Sequence, residues 1–190
     1  DPSRLEETTR VLPASPLHRS YQADITDETA INDSVARILA DFGHVDCLIH
    51  TAGITHVSPA DQTRLDVYRR VMEVNFFGVI NTTQRFLPAL VASRGQIVVL
   101  SSICGIAPLI GRTGYCASKY ALHGYFDTLR SELHHQGVSI LLVCPSFVDT
   151  SFATRGLAGD GQRLSFDRST LGVPMQPAAI ARAIMRACQQ

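Results

Sequence analysis

Three unbroken apolar stretches limit what this chain can become: residues 45–50 (VDCLIH), Gln96–Leu100 (QIVVL) and residues 138–144 (VSILLVC). A strand that is apolar at consecutive positions has to be covered on both faces, and that is the habit of parallel sheets sandwiched between helices. The intervals between the stretches carry helical periodicity. Val67, Val71, Val74 and Phe77 mark one face, continued past Gly78 by Ile80, Thr83, Phe86, Leu87 and Leu90, so residues 65–92 read as one long helix. Residues 113–136 read as another. Strand alternating with helix predicts an α/β fold, a doubly wound parallel sheet, and 190 residues with 45% apolar content suffice for one domain spanning 1–190.

The remaining segments fit around this frame. Residues 2–12 open as an amphipathic helix, stopped by Pro13 and Pro16. Residues 19–24 (RSYQAD) read as a short strand ending in the Asp24 carboxylate. Thr26 is placed to cap a helix whose apolar face is Ile31, Val35, Ile38, Leu39 and Phe42 and which Gly43 ends. Residues 146–175 are glycine-rich, with Gly156, Gly159, Gly161 and Gly172. A loop this long in a compact domain is a substrate loop or lid, and Pro177 then begins a last helix. Histidines 134 and 135 fall at a helix end, where the helix dipole accounts for them.

Seventeen basic and seventeen acidic residues cancel without forming blocks, so neither nucleic acid nor an anionic membrane is an expected partner. No apolar run is long enough to cross a bilayer. Five cysteines without metal-ligand spacing read as buried free thiols in a reducing compartment, with no metal site and a cytoplasmic location expected. The chain opens without a methionine, which leaves a membrane anchor upstream of Asp1 open.

Of seventeen basic residues only one is lysine, and Lys119 stands four after Tyr115, one helical turn on. A phenol titrates near pH 10 and needs a neighbouring positive charge to shuttle protons at neutral pH; Lys119 is expected to lower the pKa of Tyr115 in this way. Ser102 is suited to hold a reacting oxygen beside Tyr115, with Ser101 the neighbouring alternative. Ser101 and Ser102, with Asp24, Thr51–Gly53 and Pro145–Thr150, follow the carboxyl ends of strands, where doubly wound sheets bind ligands. Each has a plainer reading: an exposed helix pair for Tyr115 and Lys119, a loop hydroxyl for Ser102, a structural amide for Asn75, a helix-approach carboxylate for Asp24.

Taken together, Tyr115-x3-Lys119, Ser102 thirteen residues earlier, Asn75 before Phe76-Phe77-Gly78, Ala52-Gly53, Asp24-Ile25-Thr26-Asp27 and Pro145-x4-Thr150 resemble the short-chain dehydrogenase/reductase family. The resemblance implies a Rossmann sheet and an NAD(P)-dependent oxidoreductase interconverting an alcohol and a ketone or aldehyde. Tyr115 would be the acid/base, Lys119 its modulator, Ser102 the group that orients substrate, and Asn75 the holder of a water on the proton path. Cofactor contacts would come from Asp24, Ile25, Thr51, Ala52, Gly53, Tyr115, Lys119, Pro145, Ser146, Val148 and Thr150.

His50-Thr51 and Pro145-Ser146 depart from the family's Asn-Asn and Pro-Gly. The glycine-rich phosphate turn occurs nowhere in the 190 residues, so roughly 30 to 45 further residues carrying two strands and that turn are expected upstream. A closing strand is expected downstream, together with a homodimeric or homotetrameric assembly. Arg4 near the start leans the cofactor reading from NAD(H) toward NADP(H). Phe147, Phe152, Leu157, Leu164 and Phe166 in the long loop point to a hydrophobic carbonyl or alcohol substrate. The rival readings are a non-catalytic dinucleotide-binding sensor or scaffold and, less favoured by the short segment after Thr150, a sugar-nucleotide epimerase.

Overall fold

In the computed structural model, which describes residues 2–12, 15, 17–164 and 173–189, the three apolar stretches form one parallel sheet. The strands are β1 (Cys47–His50), β2 (Gln96–Leu100) and β3 (Ser139–Val143), side by side in that order. Ile49 pairs with Val98 and Val98 with Leu141, so all three carboxyl ends open at one edge. The α-helices among the described residues are α1 (Pro2–Val11), α2 (Glu28–Phe42), α3 (Leu65–Met72), α4 (Gly78–Ser93), α5 (Thr113–Leu133) and α6 (Pro177–Cys188).

Alternation along β2 explains why both faces need cover. Ile97 and Val99 point into the larger core, against Ile31 and Val35 of α2, Phe86 and Leu90 of α4, and Leu122 and Phe126 of α5. Val98 points the other way, onto Ile180 and Ile184 of α6. Helices α3 and α4 are joined without a break by a π-helical turn at Glu73–Phe77, so the periodicity of residues 65–92 becomes one rod with a wide turn in it.

Several expectations are corrected. Residues 19–24 are not a strand: the sheet consists of β1, β2 and β3, and no ladder partner for 19–24 exists among the described residues. Asp27, not Thr26, caps α2, its carboxylate accepting from the backbone N–H groups of Thr29 and Ala30, while Gly43 ends the helix in the left-handed conformation as expected. The cysteines form no disulfide, but Cys47 is exposed rather than buried, because β1 is an edge strand. Its Ile49 keeps 45% of its surface, against none for Ile97 one strand further in.

In the long segment expected to act as a lid, residues 156–164 are tied down. Leu157 donates its N–H to the Thr55 carbonyl at 2.8 Å and accepts from Val57 N–H at 2.8 Å, and Arg64 N–H donates to the Gly159 carbonyl at 2.9 Å. Leu157 and Leu164 are buried. Pro13, Pro16, Phe166 and Gly172 lie outside the described residues. No helix among the described residues is long and apolar enough to cross a membrane, and no group of three or more potential metal ligands forms there.

Candidate active site

Four contacts from neighbouring elements dock the start of α5, and they determine where Tyr115 stands. Ser58 N–H donates to the Gly111 carbonyl at 3.0 Å, and Arg112 donates to the Thr55 hydroxyl. The Tyr68 hydroxyl of α3 meets the Thr113 hydroxyl at 3.0 Å, and Gly114 N–H donates to Nε2 of His56 at 2.9 Å. The first N–H groups of a helix lack partners within it; here a histidine from the loop after β1 supplies one. Gly114 permits this approach, since a β-carbon there would stand 2.6 Å from the Tyr68 ring and 3.0 Å from His56 Nε2.

His56 is fully buried, and its acceptance at Nε2 assigns the proton to Nδ1, a buried atom without a hydrogen-bond partner among the described residues. Burial holds the ring below its ordinary pKa, so the neutral form that can accept from Gly114 is favoured.

From this docked start, Tyr115 and Lys119 project toward the carboxyl ends of the strands. Both are nearly enclosed, at 7% and 4% exposure. The Lys119 ammonium donates to the Leu100 carbonyl at 2.9 Å, and its nitrogen lies 5.8 Å from the Tyr115 ring centre. Burial lowers the Lys119 pKa to about 8, so the ammonium remains largely protonated at pH 7. The phenol departs from expectation. Burial pushes Tyr115 up to about 12 rather than down; a hydrogen bond with Ser102 opposes this, and the Cys104 and Cys116 thiols add to it. Such a phenol is neutral at pH 7, and it is a weaker acid than a free tyrosine as long as the cavity holds no further positive charge.

Asn75 is carried on the wide turn and fully buried. Its Oδ1 accepts from Ile54 N–H at 2.8 Å, and its Nδ2 donates to the Ile54 carbonyl at 2.9 Å and to the Ser118 hydroxyl at 3.0 Å. Ser118 in turn donates to the Tyr115 carbonyl at 2.7 Å. The amide thus pins the loop after β1 to the helix that bears Tyr115.

These groups open on a cavity of about 490 Å³ at the carboxyl edge of the sheet. Ser102, Tyr115 and Lys119 line it, as do Thr51, Ala52 and Gly53 from beyond β1. Pro145, Ser146, Val148 and Thr150 from beyond β3 line it too, whereas Asn75 does not. Asp24 and Ile25 are not on its wall. Asp24 accepts from the Thr26 N–H and hydroxyl, bonds that hold its carboxyl below the usual range, while Ile25 packs against α4 at Gly78.

The structure also brings in groups that motif reading missed. Arg112 lines the cavity from the residue before α5. His123 is a second: its Nε2 lies 3.0 Å from the hydroxyl of Ser101, the expected alternative to Ser102, which also lines the cavity, and 3.6 Å from Cys144 Sγ. The spacing of four between Lys119 and His123 was the available signal for the latter. For Arg112 and His56 only proximity to α5 in the fold reveals a role.

Comparison with known proteins agrees with this geometry. The family model described as short chain dehydrogenase matches residues 2–159. Mouse dehydrogenase/reductase SDR family member 7B is 35% identical over 173 residues, covering 87% of this chain and 54% of the relative. Human dehydrogenase/reductase SDR family member 7 is 36% identical over 139 residues, covering 72% and 41%. The chain therefore spans about half the length of the curated relatives it matches. Among solved structures, a short-chain dehydrogenase from Streptomyces avermitilis superposes with a TM-score of 0.84 at 27% identity, over 99% of this chain and 72% of that one. A short chain dehydrogenase from Burkholderia cenocepacia in complex with NADP gives 0.78 at 24% identity, over 93% and 67%, a likeness of fold. With a parallel sheet of this topology and a family match over residues 2–159, the chain belongs to the short-chain dehydrogenase family.

Proposed function

We propose that this chain carries the catalytic half of an NAD(P)-dependent oxidoreductase that interconverts an alcohol and a ketone or aldehyde. The observation that carries the reading is the convergence of Tyr115, Ser102 and Lys119 on one cavity whose wall continues through Thr51–Gly53 and Pro145–Thr150. Residues on that wall fit the nicotinamide end of a dinucleotide. Gly53 leaves bare backbone where a β-carbon would stand 3.3 Å from Asn75 Oδ1 and 3.9 Å from Lys119 Nζ, and Thr150 offers a hydroxyl. When bound, the cofactor supplies or accepts the hydride. NADP(H) is the preferred form, on the reading of Arg4.

The chain's own part is proton transfer and positioning. In the reducing direction Ser102 holds the substrate carbonyl oxygen and the neutral Tyr115 phenol donates its proton as negative charge develops there. Lys119, protonated at neutral pH, offsets the phenolate that this leaves. In the oxidising direction the same phenol takes up the hydroxyl proton as phenolate, with Lys119 beside it. The largely apolar cavity suits a hydrophobic carbonyl compound. The reading is tested by turnover of a panel of carbonyl compounds by the full-length protein and its Tyr115→Phe variant; comparable rates in both would sink the assigned role.

A further inference from the structure

Arg112 is the one arginine that lines the catalytic cavity among the described residues, and it does so at 3% exposure. Its guanidinium carbon lies 5.8 Å from the Tyr115 ring centre, as far as the Lys119 nitrogen does. A guanidinium presents five N–H donors in a planar fork and keeps its charge in proteins. Among the described residues one of those donors is used, on the Thr55 hydroxyl, and no carboxylate comes within ion-pair distance. The first turn of α5 contains no acid, so the positive end of that helix adds to the same field.

A buried charge that lacks a counter-charge is costly, and Arg112 borders a cavity walled largely by apolar side chains such as Leu109, Phe152 and Ile184. Contact with the Tyr115 ring offsets part of the charge but uses none of the in-plane donors.

We propose that Arg112 is a substrate-binding residue and that the substrate is an apolar oxo acid or hydroxy acid. Its carboxylate is held by the Arg112 fork while its carbonyl or hydroxyl group sits at Tyr115 and Ser102. The inference rests on the oxidoreductase reading of the cavity and adds a charged anchor to it. It also accounts for the placing of a guanidinium rather than an ammonium here, because a carboxylate and a guanidinium pair through two parallel hydrogen bonds.

The test uses the full-length protein with reduced nicotinamide dinucleotide and compares 2-oxo-, 3-oxo- and 4-oxo-octanoate with their methyl esters. The wild type is expected to prefer at least one acid over its ester by tenfold or more in kcat/KM, a comparison that needs no variant. In Arg112→Met that ratio falls to about one, chiefly through KM, and in Arg112→Lys it is partly kept. Calorimetric binding of octanoate, which has no group to reduce, is expected to weaken at least tenfold in Arg112→Met. Equal handling of acids and esters by the wild type overturns the proposal. So does a loss in Arg112→Met that falls equally on acid and ester, which would assign Arg112 to holding Thr55 alone. If no carbonyl compound is reduced, Arg112-dependent octanoate binding upholds the anion site while the reaction reading fails. Ester turnover without such binding does the reverse.

Discussion

The start of α5 and the outer edge of β1 border the same cavity, yet they are built in opposite ways. At α5, Gly111, Arg112, Thr113 and Gly114 each find a partner from another element, and Tyr115, Ser118 and Lys119 just beyond are buried. At β1 one side of the strand has a ladder and the other has none among the described residues, so Ile49 and Cys47 are exposed although their sequence is as apolar as that of β2. An apolar run specifies a wish for cover; only a neighbour supplies it. Chemistry in this molecule is placed where neighbours are plentiful.

The contrast can be tested at both ends. Tyr115→Phe is expected to lower kcat about a thousandfold, within the range for loss of a general acid, with cofactor affinity maintained in a titration. Ile97→Ala, in the covered central strand, is expected to cost about 3 kcal/mol in urea unfolding.

His50, the last residue of β1, is buried and bonded to α4. Thr83 gives its hydroxyl proton to the Val79 carbonyl, so His50 Nε2–H donates to Thr83 at 2.9 Å and the ring is neutral. Burial lowers its pKa to about 4 from an ordinary 6.5. Between those values the unfolded chain binds the proton and the folded one does not. Stability is therefore full above pH 6.5 and is lost as pH falls toward 4, by an amount of order 3 kcal/mol. His50→Asn is expected to flatten that slope in melts across this range.

Gly114→Ala should cost about 1–3 kcal/mol by driving the Tyr68 ring away, and should lower kcat as Tyr115 shifts with its helix. The smallest effect is expected at the edge, where Ile49→Ala should cost under about 1 kcal/mol in this 190-residue chain. A cost in the full-length protein equal to that of Ile97→Ala would show that a further element covers β1 there.

What could be read from residues alone divides along the same line. The three strands, the helices between them and the Tyr115, Ser102, Lys119 grouping were legible because apolar period and motif spacing are local properties of the chain. Residues 19–24 were misread as a strand because a strand exists only with a ladder partner. The Tyr115 pKa was misjudged because spacing shows that Lys119 is near but not how deeply the phenol is buried. Arg112 and His56 escaped notice because their importance comes from loops that fold onto α5 from distant parts of the sequence.

The wide turn at Glu73–Phe77 has a meaning beyond the placing of Asn75. Inward-facing residues along the rod recur at intervals of four: Val67, Val71, Asn75, Val79, Thr83. On a regular helix of 3.6 residues per turn, such a stripe would creep around the rod by about 40° at each step. One slow turn takes up part of that creep and keeps α3 against α5 and α4 against the sheet. The turn is thus a phase corrector: its i→i+5 bonding holds one residue more than a regular turn of the same rod would. The extra residue is absorbed within 73–77, so Phe86 and Leu90 further along the rod still face the core.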